Sequence, residues 1–203
     1  MVTGAPLGET AAAAILVHGR NQGPETMLGL VERLALPDVH YVLPVAADGT
    51  WYPQRFTEPT AANEPRLTQA LAALGAAVAR LEAAGRPAET LALVGFSQGA
   101  CLTLEWVARN PRRYGSVAGL TGGLIGADSE LTRPGAGLDG TPLLITTSEQ
   151  DEWVPAERTR ATAAILATAG AEVDLRVFPG AEHTMKDDEV DAVRRLIQGE
   201  GNQ

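Results

Sequence analysis

The sequence is poor in sulfur, lysine and histidine: one cysteine, one lysine and three histidines in 203 residues. A lone Cys101 cannot form an intrachain disulfide, so nothing obliges the chain to mature in an oxidising compartment, and a cytoplasmic location is expected. With no H-x-x-x-H pair and a single thiol there is no zinc pattern, and no metal is expected. Basic residues number 16 against 25 acids, a formal net charge of -9. Phosphate contacts need a basic face, so this balance argues against a nucleic-acid partner. The longest apolar run near the start, Ala11 to Val17, is too short to span a bilayer. It follows Glu9 rather than basic residues, so neither a membrane span nor a signal peptide is expected there. Repeats, low-complexity tracts and Pro/Gly/Ser-rich linkers are absent as well.

What the chain does have is apolar content, 45% of residues, enough for one full core. A single domain over residues 1–203 is expected, with Gly199 to Gln203 as a disordered tail. Short β-branched and apolar runs alternate with segments of helical periodicity, the pattern of an α/β domain with a mostly parallel sheet flanked by helices. Strands are expected near Ala13 to His18, Val39 to Leu43, Leu91 to Gly95, Ser116 to Leu120, Pro142 to Thr146 and Glu172 to Phe178. The clearest helix is Arg66 to Ala84, where Leu67, Leu71, Leu74, Val78 and Leu81 form one stripe closed by Gly85 and Pro87. Other helices are read at Pro24 to Leu34, Gln98 to Asn110, Ala156 to Ala169 and Met185 to Gln198. Two irregular stretches remain, Ala46 to Pro65 and Gly122 to Thr141. Their length suggests functional loops, yet neither is long enough for a large helical lid.

Directly after Leu91 to Val94 of the third strand stands Gly95-Phe96-Ser97-Gln98-Gly99, a G-x-S-x-G pattern in its required strand-turn-helix setting. Composition alone would place roughly 0.05 such patterns in a chain this long, so the setting decides. The turn lifts the serine hydroxyl clear of the sheet, and glycine on either side lets strand and helix pass closely. The helix beginning at Gln98 aims its positive end and free N–H groups at any oxyanion forming beside Ser97.

A serine hydroxyl needs a base to take its proton, most often a histidine near neutral pH. His40 falls in a strand and reads as structural. His18 precedes Gly19 in the first strand-to-helix turn, a place suited to shaping an oxyanion loop. His183 lies between the last strand and the last helix, which matches the order Ser, acid, His of this motif. The acid is expected on Ser148-Glu149-Gln150-Asp151-Glu152, and the pattern alone does not choose among Glu149, Asp151 and Glu152. The acidic run Asp187-Asp188-Glu189 reads as the first turn of the last helix, with Thr184 and Asp187 spaced like a capping box.

Taken together, Gly95-Phe96-Ser97-Gln98-Gly99-Ala100, His18-Gly19-Arg20, Trp51-Tyr52-Pro53, Asp151-Glu152-Trp153-Val154-Pro155 and His183-Thr184 resemble the phospholipase/carboxylesterase family of α/β hydrolases, which includes the acyl-protein thioesterases. The likeness runs from about Ile15 to Ile197 and is closest to a small bacterial carboxylesterase branch. It implies an α/β-hydrolase fold, Ser97 as nucleophile, Asp151 as acid and His183 as base, with the backbone N–H groups of Arg20 and Gln98 as oxyanion hole. Three turns depart from the family pattern: Asn21, Ser148 and Glu182 stand where glycine is usual. Asn tolerates positive φ. An acid at position 182 is expected to trim activity on the acid side if its side chain approaches His183.

For the pocket wall, Trp51, Tyr52 and Phe56 are expected from the aromatic segment, with Leu124, Trp153 and Met185 from the reactive end of the sheet. Apolar residues there would serve equally as a homodimer contact. The expected activity is cofactor-free hydrolysis of short to medium acyl esters in an open site. A thioesterase or lysophospholipase would use the same residues, and a slow-turnover ligand receptor would share the fold.

Overall fold

A computed structural model describes residues 1–8, 12–132 and 134–200. Seven strands form one sheet in the order β1-β3-β2-β4-β5-β6-β7. They are β1 (Val2–Gly4), β2 (Ala12–Val17), β3 (Val39–Val42), β4 (Leu91–Phe96), β5 (Ser116–Leu120), β6 (Pro142–Ser148) and β7 (Glu172–Phe178). Only β1 runs antiparallel, against β3; every other neighbouring pair is parallel. Parallel strands require crossovers, and helices supply them: α1 (Pro24–Leu34), α2 (Arg66–Ala83), α3 (Gln98–Arg109) and α4 (Ala156–Thr168), with α5 (Asp187–Ile197) closing the chain.

The helices cover both faces of the sheet. On one, Met27, Leu30 and Leu34 of α1 join Val190, Val193 and Leu196 of α5 over Leu16, Val94 and Leu144. On the other, the expected stripe of α2 packs with α3 and α4 over Ile15, Leu93 and Ile145. This is why β4 reads as an unbroken apolar run, buried at every position, rather than as an alternating one. Helix α3 lies beside this central strand and is buried from Gln98 through Ala108. Among the described residues no helix is long and apolar enough to cross a membrane.

The structure adds β1, a strand too short for periodicity to betray. It is held at the sheet edge by pairing with β3 and by the terminal ammonium donating to the Leu43 carbonyl at 2.8 Å. The irregular stretches remain loops broken by single 3-10 turns at Ala47–Gly49, Thr60–Asn63 and Asp128–Glu130. The first two residues of the expected tail are ordered. Gly199, at φ 75°, and Glu200 turn back on α5, their amides donating to Leu196 and Arg195 carbonyls, a glycine cap in the left-handed region. Residues 201–203 lie outside the described residues, as does residue 11 of the first apolar run.

The start of α5 also differs. The helix begins at Asp187, after Lys186, and the expected Thr184/Asp187 box is replaced by Glu189, whose Oε2 accepts the Lys186 amide at 2.6 Å. Asp187 instead pairs with Arg33 at 2.7 Å. Glu189 is buried beneath the sheet, where its other oxygen accepts the Thr146 hydroxyl.

Two predictions concern this framework. A Cβ on Gly99 would collide with the carbonyls of Val17 and His18, so Gly99→Ala is expected to lose about 1–3 kcal/mol through overpacking. A urea midpoint equal to that of the wild type would contradict this close approach. Burial raises the Glu189 carboxyl above its ordinary 4.5. The stability it contributes is therefore complete below that value and is lost as pH rises through the raised folded-state value. Glu189→Gln is expected to gain stability relative to wild type as pH rises from about 4 to 7, read from paired melting curves; parallel curves would contradict it.

Candidate active site

Ser97 joins β4 to α3 with φ 54° and ψ -120°, a region that costs a residue bearing a Cβ free energy. The local sequence makes the bend sterically possible. A Cβ on Gly95 would strike the Gly99 carbonyl, and one on Gly99 the end of β2, so only glycine at both positions lets α3 start this close to β2 and β4. The bend is buttressed from below by the Ser97 amide donating to the Leu120 carbonyl at 2.9 Å. One residue later the Thr121 amide donates to the Thr146 hydroxyl, which donates in turn to Glu189.

His183 follows β7 and reaches the serine: Nε2 lies 2.8 Å from Ser97 Oγ, and Nδ1 lies 2.7 Å from Asp151 Oδ2. The imidazole is part-buried, its ring 5.4 Å from that of Phe96. Of the three acids on the loop after β6, Asp151 alone turns inward. Its side chain is fully buried, and its Oδ1 accepts the amides of Trp153 and Val154 at 2.8 and 2.9 Å. One carboxylate oxygen thus ties its own loop while the other faces the imidazole. Glu149 and Glu152 stay exposed.

The two loops are joined at the positions where glycine is usual. The Ser148 hydroxyl donates to the Glu182 carbonyl at 2.7 Å, the Glu149 amide to the Phe178 carbonyl and the Gln150 amide to the Gly180 carbonyl. Ser148 therefore ties the acid loop to the base loop. The Glu182 side chain is exposed and pairs with Lys186 Nζ at 2.6 Å, which holds its carboxyl below the usual range. The partner of this carboxylate among the described residues is thus Lys186 and not His183. Asn21 adopts φ 56°, its amide bonded to the Gly49 carbonyl.

A second scaffold holds the loop after β2. His18 is buried, its Nδ1 2.8 Å from the Gly19 carbonyl and its Nε2 accepting the Ala46 amide at 3.1 Å. The Arg20 guanidinium donates to the carbonyls of Tyr52, Pro53 and Gln54. Gln98 completes the frame, its Oε1 accepting the Trp51 amide and its Nε2 donating to the Tyr52 carbonyl. The Gln98 amide, first in α3, has no helical partner, and the Arg20 amide donates to no other backbone group among the described residues. The side chains of Arg20 and Gln98, assigned no task from the sequence, fix the aromatic loop against both backbone positions.

A cleft of about 420 Å³ opens at Ser97 and His183, lined also by Arg20, Tyr52, Arg55, Phe56, Gln98, Cys101, Trp153 and Val154. Of the residues named from the sequence for a pocket wall, Tyr52, Phe56 and Trp153 line this cleft. Trp51, Leu124 and Met185 do not. Trp51 is buried behind the wall, its indole N–H donating to the His18 carbonyl at 2.8 Å. Leu124 is packed in the core beside α4, and Met185 packs against the opposite cluster at α1 and α5. An irregular segment alternates between wall and core, which composition does not reveal. Cys101 and Arg55, to which the sequence assigns no role, also line the cleft. Cys101 sits one helical turn after Ser97, a spacing that places both on one face.

A doubly covered parallel sheet with a strained serine at the end of its central strand defines the α/β-hydrolase fold. More narrowly, the phospholipase/carboxylesterase family model matches residues 2–199, and the chain belongs to that family. The solved structure of a phospholipase/carboxylesterase from Dyadobacter fermentans is 37% identical with a TM-score of 0.93, covering 98% of this chain and 95% of that one. Acyl-protein thioesterase 1 from Gibberella zeae is 28% identical over 112 residues, 54% of this chain and 48% of that protein. Carboxylesterase SOBER1 from Arabidopsis thaliana is 26% identical over 136 residues, 67% of this chain and 60% of that protein. The chain thus spans about half the length of the curated relatives it matches.

Because Glu182 is committed to Lys186, Glu182→Gln is expected to leave the acid limb of kcat/KM against pH where it is in the wild type. A displaced limb would show that the carboxylate acts on the site after all.

Proposed function

We propose that the protein is a serine carboxylesterase that hydrolyses short to medium acyl esters through Ser97, His183 and Asp151. The observation that carries this reading is the unbroken chain of contacts from Ser97 Oγ through His183 to the buried Asp151 carboxylate. Ser97 attacks the ester carbonyl while His183 Nε2 takes its proton, and the buried carboxylate holds the ring in the tautomer that can accept it. The tetrahedral oxyanion is stabilised by the N–H groups of Arg20 and Gln98, reinforced by the positive end of α3. His183 returns the proton to the departing alcohol, and a water activated by the same imidazole releases the acid. No cofactor takes part. A cleft of this size suits small acyl groups, and no large helical lid closes it among the described residues.

The relative named acyl-protein thioesterase favours a second reading, hydrolysis of acyl thioesters by the same residues. Oxygen and thiol esters of matched acyl length distinguish the two by their ratio of kcat/KM.

Ser97→Ala is expected to lose about 10^6-fold in kcat on p-nitrophenyl esters, the scale seen when a serine hydrolase loses its nucleophile, together with labelling by a fluorophosphonate probe. Wild-type turnover in that variant would end the hydrolase reading.

A further inference from the structure

The charge around the cleft is opposite to that of the molecule. Acids outnumber bases by 25 to 16, yet the wall carries two arginines, Arg20 and Arg55, and no carboxylate. Neither forms an ion pair among the described residues; Arg80, Arg86, Arg113, Arg160 and Arg195 form none either, but none of those five lines the cleft. The two differ in how far they are engaged. Arg20 gives both terminal nitrogens to three loop carbonyls. Arg55 uses only Nη2, toward the carbonyls of Glu152 at 3.0 Å and Trp153 at 3.4 Å. Its Nε and Nη1 have no protein acceptor among the described residues. The neighbouring Glu152 offers its carbonyl and not its carboxylate.

Arg55 is exposed but not loosely held. Its own carbonyl accepts the side-chain amide of buried Asn63, whose Oδ1 accepts the Gln54 amide at 2.8 Å. Next to it the Phe56 carbonyl accepts the Gly126 amide. Its guanidinium lies 6.0 Å from the centre of the Trp153 ring, the most exposed large apolar residue among the described residues at 61%. A guanidinium beside an aromatic ring, with Nε and Nη1 lacking a protein acceptor among the described residues, is arranged for a planar anion.

We propose that Arg55, with Trp153 beside it, is a specificity subsite for an anionic group, so that the preferred substrates are esters carrying a carboxylate or phosphate in addition to the scissile ester. This rests on the hydrolase reading above. The negative net charge lowers the encounter rate of such substrates, and the two unpaired arginines offset that locally at the cleft.

The test compares p-nitrophenyl butyrate with the p-nitrophenyl monoester of glutarate, which adds a carboxylate to the acyl part, and phenyl acetate with 4-carboxyphenyl and 4-phosphophenyl acetates, which add a carboxylate or a phosphate to the alcohol part. The wild type is expected to favour the anionic member of at least one series by about three- to tenfold in kcat/KM, less so at high ionic strength. Arg55→Gln is expected to reduce that anionic-to-neutral ratio toward one, and Arg55→Lys to restore part of it. No preference in any series, or a ratio that Arg55→Gln leaves unmoved, overturns the subsite. Binding is read separately in the Ser97→Ala background from quenching of tryptophan fluorescence by the same monoglutarate ester and the same phosphophenyl acetate. There Arg55→Gln is expected to weaken the affinity for at least one of them by a similar factor, and unchanged affinity for both overturns the subsite. This second arm needs no turnover, so a failure of the hydrolase reading and a failure of the anion subsite give different results.

Discussion

Ser97 is held at a positive φ that costs about 1–3 kcal/mol for a residue with a side chain, and the rest of the site is arranged around keeping it there. The strain persists because alternatives are closed off. Gly95 and Gly99 bring β4, α3 and the end of β2 so close together that a methyl group at either position meets backbone. Hydrogen bonds from the Ser97 and Thr121 amides fasten the bend to β5 and β6. Relaxing the serine would mean pulling apart β4 and α3, each buried along almost its whole length.

From that fixed point the remaining contacts follow as consequences of strand order. Parallel β4, β5, β6 and β7 end at the same edge of the sheet, so the loops after β6 and β7 arrive beside the serine. They are held in register by the Ser148 hydroxyl and by the Glu149 and Gln150 amides. A glycine at position 148 or 182 would give the loops freedom. Serine replaces that freedom with a hydrogen bond, and position 182 uses its carbonyl for the purpose while its carboxylate is drawn off to Lys186. Substitutions that look disruptive within their own segments thus become cross-links once the segments are adjacent.

On the other side of the serine the same logic applies with charges. Arg20 and Gln98 bind carbonyls and amides of the aromatic loop. Buried Glu105 and Arg158 do likewise for the loop after β5. Glu105 accepts from Arg109, Ile125 and Thr132, and Arg158 donates to Leu124, Gly126 and Asp128. Irregular backbone cannot satisfy its own polar groups, so long loops near a site are stabilised by side chains with several donors or acceptors. At the cleft wall Arg55 differs from Arg20 in leaving most of its hydrogen-bonding capacity unspent.

The sequence by itself determined the alternation of strands and helices, the elbow at Ser97 and the chain order that singles out His183, because periodicity, glycine spacing and motif order are local properties that survive in one dimension. It did not find β1, whose three residues are held by pairing with β3 and by the neighbouring Met1 ammonium, nor the true start of α5, fixed by Glu189 reaching beneath the sheet. Residue patterning alone left Glu149, Asp151 and Glu152 equivalent, since only the folded loop shows which carboxylate turns inward. The wall of the cleft was decided by tertiary structure for the same reason. Trp51 and Tyr52 are neighbours in the chain, yet one packs behind the wall and the other forms it, since in an irregular segment direction is set by what the backbone is tied to and not by any repeating angle.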